Sequence, residues 1–337
     1  MKERSSNFEL LRLVCMLMVV GCHAIGYVNA SDLTGIQGIL KLTVSQFLLV
    51  CVNVFVMISG WFGIKASWKG AAKLLFQVLF CATLCYMVFL ALGLPVSFRE
   101  NLAQYLLFGS GYWFVVSYLI LYALSPVLNA FALNSSKKEF ILTLSAFFLV
   151  EFLFGYLLDV GHFDYGFSPL FFIGLYLLAR YARLYPGKCF SLAKHYDILI
   201  YIVVTVLSIF GFYFGYKFFG MGFHLNHYDS PLAVAAALFL LLFFSKLDFK
   251  SNAINWLAAS AFAIYLFHTN NLVYPYFKRC FEYISTSFTL PVRCCVSTLA
   301  VMVIALISIL ADQPRVLIWR WITNSFNNTP SRNDSLQ

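Results

Sequence analysis

Ten stretches of this chain, near residues 8–28, 37–63, 72–94, 112–133, 139–158, 168–185, 197–219, 230–245, 253–274 and 291–313, are apolar runs about 16 to 27 residues long. Runs of that length narrow the folding choices sharply, because about 20 apolar residues in a helix cross the hydrocarbon core of a bilayer. A composition that is 61% hydrophobic and 11% charged, with a mean hydropathy of +0.82, excludes an ordinary soluble domain. The fold class expected is all-α: a polytopic integral membrane bundle of about ten transmembrane helices.

An even number of crossings puts both termini on one side, and the basic residues indicate which. Short cytoplasmic loops collect Lys and Arg. With the N-terminus inside, sixteen of the 23 basic residues fall in inner segments, among them Lys65, Lys69, Lys73, Arg180, Arg183, Lys188 and Arg315. Only Lys41, Arg99, Lys217, Lys278, Arg279 and Arg293 fall outside. Both termini are therefore expected in the cytoplasm. The same scatter over several loops accounts for the net charge of +9 without nucleic acid as a partner.

The first run lacks a small-residue cleavage pattern such as Ala-x-Ala and reads as a retained helix. Residues 1–323 form one transmembrane domain, and the polar segment 324–337 reads as a disordered tail. The stretch 99–111, with Arg99, Glu100, Gly109 and Gly111, is too polar to span and reads as lying along the outer surface. The nine cysteines sit mostly within apolar runs and form no Cys-x-x-Cys unit, which favours packing over zinc sites or a disulfide framework.

Arg12 and His23 lie eleven residues apart in the first run. Eleven steps of about 100° make three turns plus roughly 20°, so the two share a face, roughly 16 Å apart along the axis. Ionisable residues persist within spans mostly where they face a bundle interior or a wet cavity. Glu9, three residues before Arg12, can pair with it near the inner boundary. Arg12 is then either a side chain snorkelling to the interface or a working guanidinium. His23 has Gly21, Cys22 and Ala24 around it, which leave the ring room. It is either a packing residue or a functional one; a neutral imidazole keeps the nitrogen lone pair that a general base needs.

Two further polar features stand out. Glu151, inside the fifth run, must face the interior, where it either braces helices or binds a sugar hydroxyl. His224-x-x-His227 with Asp229, and Asp159 with His162 and Asp164, form outer loops. Neither has the His-Glu-x-x-His arrangement or a Cys cluster, so no metal site is expected.

The stretch from Asn7 to His23 resembles the first helix of the integral-membrane acyltransferase 3 family, with Arg12, ten intervening residues and His23. Three further segments agree in order. Val54 to Phe62, with Ser59-Gly60, resembles the family's second-helix signature. Tyr112-Trp113-Phe114, running through Tyr118, Tyr122, Ser125, Pro126 and Asn129, is similar to its Trp-Phe segment. Ala261 to His268 resembles its late helix ending in aromatic-His, and Asp312-Gln313-Pro314 echoes a closing acidic-x-Pro element. One departure is that the arginine-rich element many members carry after the second helix is replaced by Lys65, Lys69 and Lys73. Lysines supply charge but not the bidentate fork of Arg, and positive-inside topology accounts for them equally well.

The resemblance implies an O-acyltransferase of the inner membrane that moves an acyl group, acetyl foremost, from cytoplasmic acyl-CoA to a hydroxyl of a surface polysaccharide or lipid-linked oligosaccharide. It implies His23 as base or acyl carrier and Arg12 as the group that orients or electrostatically stabilises the donor or the transition-state oxygen. Glu9, Glu151, Trp113, Tyr265 and His268 are expected toward the substrate, and Lys65, Lys69 and Lys73 toward the donor's phosphates. No tightly bound cofactor is expected, and a second copy or a glycan-assembly partner is left open. A transporter or flippase, with Arg12, His23 and Glu151 lining a passage, is the competing expectation.

Overall fold

The computed structural model describes residues 5–26, 28, 33, 35–97, 102, 105–107, 112–158, 160–161, 163–222 and 224–327. Lys2, Arg4, Arg99, Glu100, Gly109, Gly111, Asp159, His162, Arg332 and the tail from 328 lie outside the described residues. Within them the fold is all-α. The helices are α1 (Ser6–Ile25), α2 (Ile36–Leu48), α3 (Cys51–Phe62), α4 (Trp68–Ala91), α5 (Trp113–Asn134), α6 (Lys137–Val150) and α7 (Pro169–Leu184). They continue as α8 (Lys194–Phe219), α9 (Pro231–Ser245), α10 (Asn252–Ala258), α11 (Ala261–His268), α12 (Tyr274–Ser287) and α13 (Leu290–Asn327).

Seven helical stretches are long and apolar enough to cross a membrane: α1, the joined α2–α3, α4, α5, α6 with the π-helical turn Glu151–Leu157 that extends it, α8, and α13. This is a multi-pass membrane protein. The other three expected runs fold differently. Residues 168–185 give α7, only 16 residues, started by the Ser168 cap and Pro169. Residues 230–245 give α9, 15 residues between Pro231 and Lys246. Residues 253–274 are broken, because Ala259 and Ser260 close three-residue turns onto Trp256 and Leu257 and separate α10 from α11.

Helix α1 runs through the middle of the bundle, packed against α2, α3 and α9 to α13, with Leu11, Cys15 and Val20 closed off from solvent. The outer helices turn Met87, Leu142, Leu207 and Leu299 outward, as a lipid-facing surface requires. Two expectations at the C-terminal end are corrected. The run expected over 291–313 does not stop there, since α13 continues through Pro314 to Asn327. Arg315 is not a loop charge but a fully buried guanidinium forked onto Asp312, with Nε donating to Oδ1 at 2.7 Å and Nη2 donating to Oδ2. Burying both ends of that pair lets the helix carry charge through the packed interior.

Candidate active site

The first turns of α1 point Glu9 and Arg12 into a cavity of about 310 Å³. Arg12 Nη1 donates to Glu9 Oε1 at 2.7 Å, so the guanidinium enters the bundle with its charge matched rather than snorkelling alone. The cavity walls bring Ser59 from α3, Lys73 and Gln77 from α4, Tyr118 from α5 and Phe262 from α11. The Ser59-Gly60 step explains itself locally. A Cβ on Gly60 would overlap the Tyr176 carbonyl, so glycine lets the α3 and α7 backbones touch while Ser59 turns to the Tyr118 hydroxyl, 3.0 Å away.

Helix α13 holds two of these walls. Gln77 Nε2 donates to Asp312 Oδ2 at 3.4 Å, joining α4 to the buried Asp312–Arg315 pair. Gln313 Nε2 donates to Ser260 Oγ at 3.1 Å, fixing the break between α10 and α11 whose residues Ala258, Ala259 and Ala261 border the cavity.

At the other end of α1, His23 Nδ1 lies 2.8 Å from His268 Nε2, and His268 Nδ1 lies 2.6 Å from the Ile264 carbonyl oxygen. A carbonyl only accepts, so His268 carries its proton on Nδ1. A second proton would place a cation in a site 1% exposed, walled by Phe277 and Tyr265, with no carboxylate among its partners in the described residues. His268 Nε2 is therefore an acceptor, His23 donates from Nδ1, and His23 Nε2 is left with a lone pair. Sequence reasoning had both histidines but not their contact, which joins residues 245 positions apart.

The sequence-derived candidates thus divide. Glu9, Arg12 and Lys73 meet at the cavity, and His23 meets His268 beyond it. Helix α11 links the two places, since Phe262, Tyr265 and His268 recur at three-residue steps and span about 9 Å along its axis. Tyr265, 5% exposed, stacks on Phe262 with centroids 5.7 Å apart and does not itself border the cavity. Lys65 and Lys69 are exposed and stand outside the cavity wall. Trp113 packs against Phe167 and Phe172 and does not border the cavity. Glu151 sits at the far end of α6 from Lys137, 3% exposed, close enough to Asp229 for the two carboxylates to interact, and among the described residues neither of its oxygens has a hydrogen-bond partner. His224 and His227 pack on Tyr165.

A family model for the acyltransferase 3 family, described as an acyltransferase domain, matches residues 5–311. The chain belongs to the acyltransferase 3 family. No curated protein and no solved structure matches it. The matched family region contains Glu9, Arg12, His23, Lys73 and His268, so the cavity's charged lining and the imidazole pair both fall within it. Asp312, Gln313 and Arg315, which hold the cavity walls from behind, lie just past its end. Membership of this acyltransferase family together with the apolar helices makes the protein a multi-pass membrane acyltransferase.

Proposed function

We propose that the protein moves an acetyl or other short acyl group from cytoplasmic acyl-CoA to a hydroxyl of a surface polysaccharide or of its lipid-linked precursor, in the cytoplasmic (inner) membrane. The observation that carries this reading is the chain Ile264 carbonyl, His268, His23, which leaves His23 Nε2 as an oriented lone pair. That nitrogen takes the acceptor's hydroxyl proton as the oxygen attacks the thioester carbon. The C–S bond then breaks, and the departing thiolate takes the proton from the imidazolium, returning His23 to its starting form. Attack by Nε2 itself, with an acyl-imidazole between two transfers, would use the same lone pair.

Arg12 has a different part. It lies roughly 16 Å from His23 along α1, too far to touch the same carbonyl, so the oxyanion-stabilising role drops out and the donor-holding role remains. Arg12 and Lys73 face the space where the arm of an anionic donor would lie, with its thioester extending toward His23. The break between α10 and α11 beside this cavity also suits a transporter, in which broken helices bind substrate; that reading requires flux of a glycan without acyl-CoA.

The deciding experiment measures radiolabelled acetyl passing from acetyl-CoA into surface glycan in membranes holding equal amounts of wild type or His23→Ala. Label that needs the protein and vanishes with His23 is the expected result. Full labelling by His23→Ala would remove His23 from the chemistry, and no labelling by wild type across native acceptors, with glycan flux retained, would favour transport.

A further inference from the structure

Helix α7 ends with Arg180 and Arg183, three residues apart and on one face, laid against the loop that follows α3. Arg183 is accounted for. Its Nη1 donates to the Trp61 carbonyl at 2.9 Å, and its guanidinium lies over the Trp61 and Phe62 rings at 5.7 and 5.2 Å. Arg180 is not. It is half-buried, and among the described residues its Nε is closed off from solvent without an acceptor and no carboxylate forms an ion pair with either arginine. The two like charges lie close enough to act on each other. A half-buried cation beside another cation is a costly arrangement that an anion shared between them would relieve.

The surroundings are built rather than loose. Tyr176 OH accepts from Ile64 N at 2.9 Å and donates to Asn129 Oδ1 at 2.7 Å, while Asn129 Nδ2 donates to the Ile64 carbonyl at 2.7 Å. These bonds hold the loop at Gly63, whose φ of +74° suits glycine and where a Cβ would press on the Arg180 guanidinium at 3.2 Å. Gly63 is one helical turn beyond Ser59, so this place lies about 6 Å further along α3 than the cavity wall. Lys65 stands exposed on the same loop.

We propose that Arg180 and Arg183 form a phosphate-binding site, occupied by the nucleotide phosphates of the acyl donor. The phosphate site stands on the geometry alone; the donor as its occupant rests on the acyl-CoA reading above. A planar guanidinium fork suits phosphate oxygens better than the lysines of the loop do. An anionic lipid headgroup or free phosphate offers the same chemistry, and the test separates them.

Full-length protein in phosphatidylcholine nanodiscs is titrated calorimetrically with coenzyme A and with inorganic phosphate, and phosphatidylglycerol association is scored in mixed-lipid nanodiscs. Arg180→Gln is expected to weaken coenzyme A about tenfold or more, and Arg180→Lys to restore part of the loss. Arg183→Gln, at an exposed position, serves as the second variant and is expected to weaken coenzyme A by less. Coenzyme A affinity unchanged in both Gln variants while phosphate or phosphatidylglycerol binding falls would keep the site and overturn the donor as its occupant. All three ligands binding both folded variants as they bind wild type would overturn the site. Wild type that binds phosphate but not coenzyme A would instead strike the acyl-CoA reading.

Discussion

His268 and His23 are two of six histidines, and a hydrogen bond between their ring nitrogens joins them. If His268 works by fixing the tautomer of His23, what matters is an acceptor where its Nε2 stands. His268→Gln can place Oε1 there and should keep a measurable part of kcat. His268→Leu cannot, and should lower kcat about 10²- to 10⁴-fold with little change in donor KM. Nitrogen-15 NMR of the histidine rings, with His23 assigned through its own variant, reads the tautomer without substrate. Wild type should show a protonated Nδ1, and His268→Leu a mixture; an unchanged His23 spectrum in His268→Leu would make the pair a packing contact. Arg12 should behave in the opposite way. Arg12→Lys keeps a charge but loses the planar fork, so donor KM should rise about tenfold while kcat is largely kept; a fall confined to kcat would return Arg12 to the reacting atoms.

Among the elements, α3 and α13 carry the cavity by unlike means. Gly60 permits backbone contact with α7, so Gly60→Val should force the two helices apart and destabilise the fold by about 1–3 kcal/mol, read as a lower melting temperature of the solubilised protein. Asp312 neutralises Arg315, and Asp312→Leu should cost about 3–5 kcal/mol by stranding a buried cation. The double change Asp312→Leu with Arg315→Met should be the milder one, and a double variant as unstable as the single would show the pair to matter for more than charge balance. Much of the spanning frame could be read from apolar run length, as could the pairing of Glu9 with Arg12, because both depend on local spacing. The break at Ala259-Ser260 could not, since an alanine-rich apolar run looks the same whether it is continuous or turned. Nor could the burial of Arg315 or the exposed-looking Arg180, whose meaning depends on Asp312, on Gly63 and on Trp61 brought near by folding. Lys73 joined the cavity and Lys65 and Lys69 did not, although the sequence treated them alike, because Lys73 stands one turn before Gln77 on the lining face of α4, whereas Lys65 precedes that helix and Lys69 lies in its first turn.

For the whole molecule the open quantity is how many times the chain crosses. The seven long apolar helices leave α7, α9 and the broken α10–α11 to be placed, and the basic residues argue that all three cross. Arg180, Arg183 and Lys188 would then lie inside after α7, and Lys278 and Arg279 outside on α12. Moving Arg315 into the interior reduces the inner excess by one residue and leaves its direction unchanged. Cys189 and Cys280 are both exposed, one in the loop after α7 and the other on α12, and they report on opposite sides in this arrangement. With the other cysteines replaced, a membrane-impermeant maleimide added to intact cells should label Cys280 and spare Cys189 until the membrane is opened. Labelling of Cys189 from outside would mean an odd number of crossings before it and would put the phosphate site at Arg180 on the wrong face for a cytoplasmic donor. The donor assignment and the topology therefore stand or fall together on that one residue, since the same end of α7 carries both.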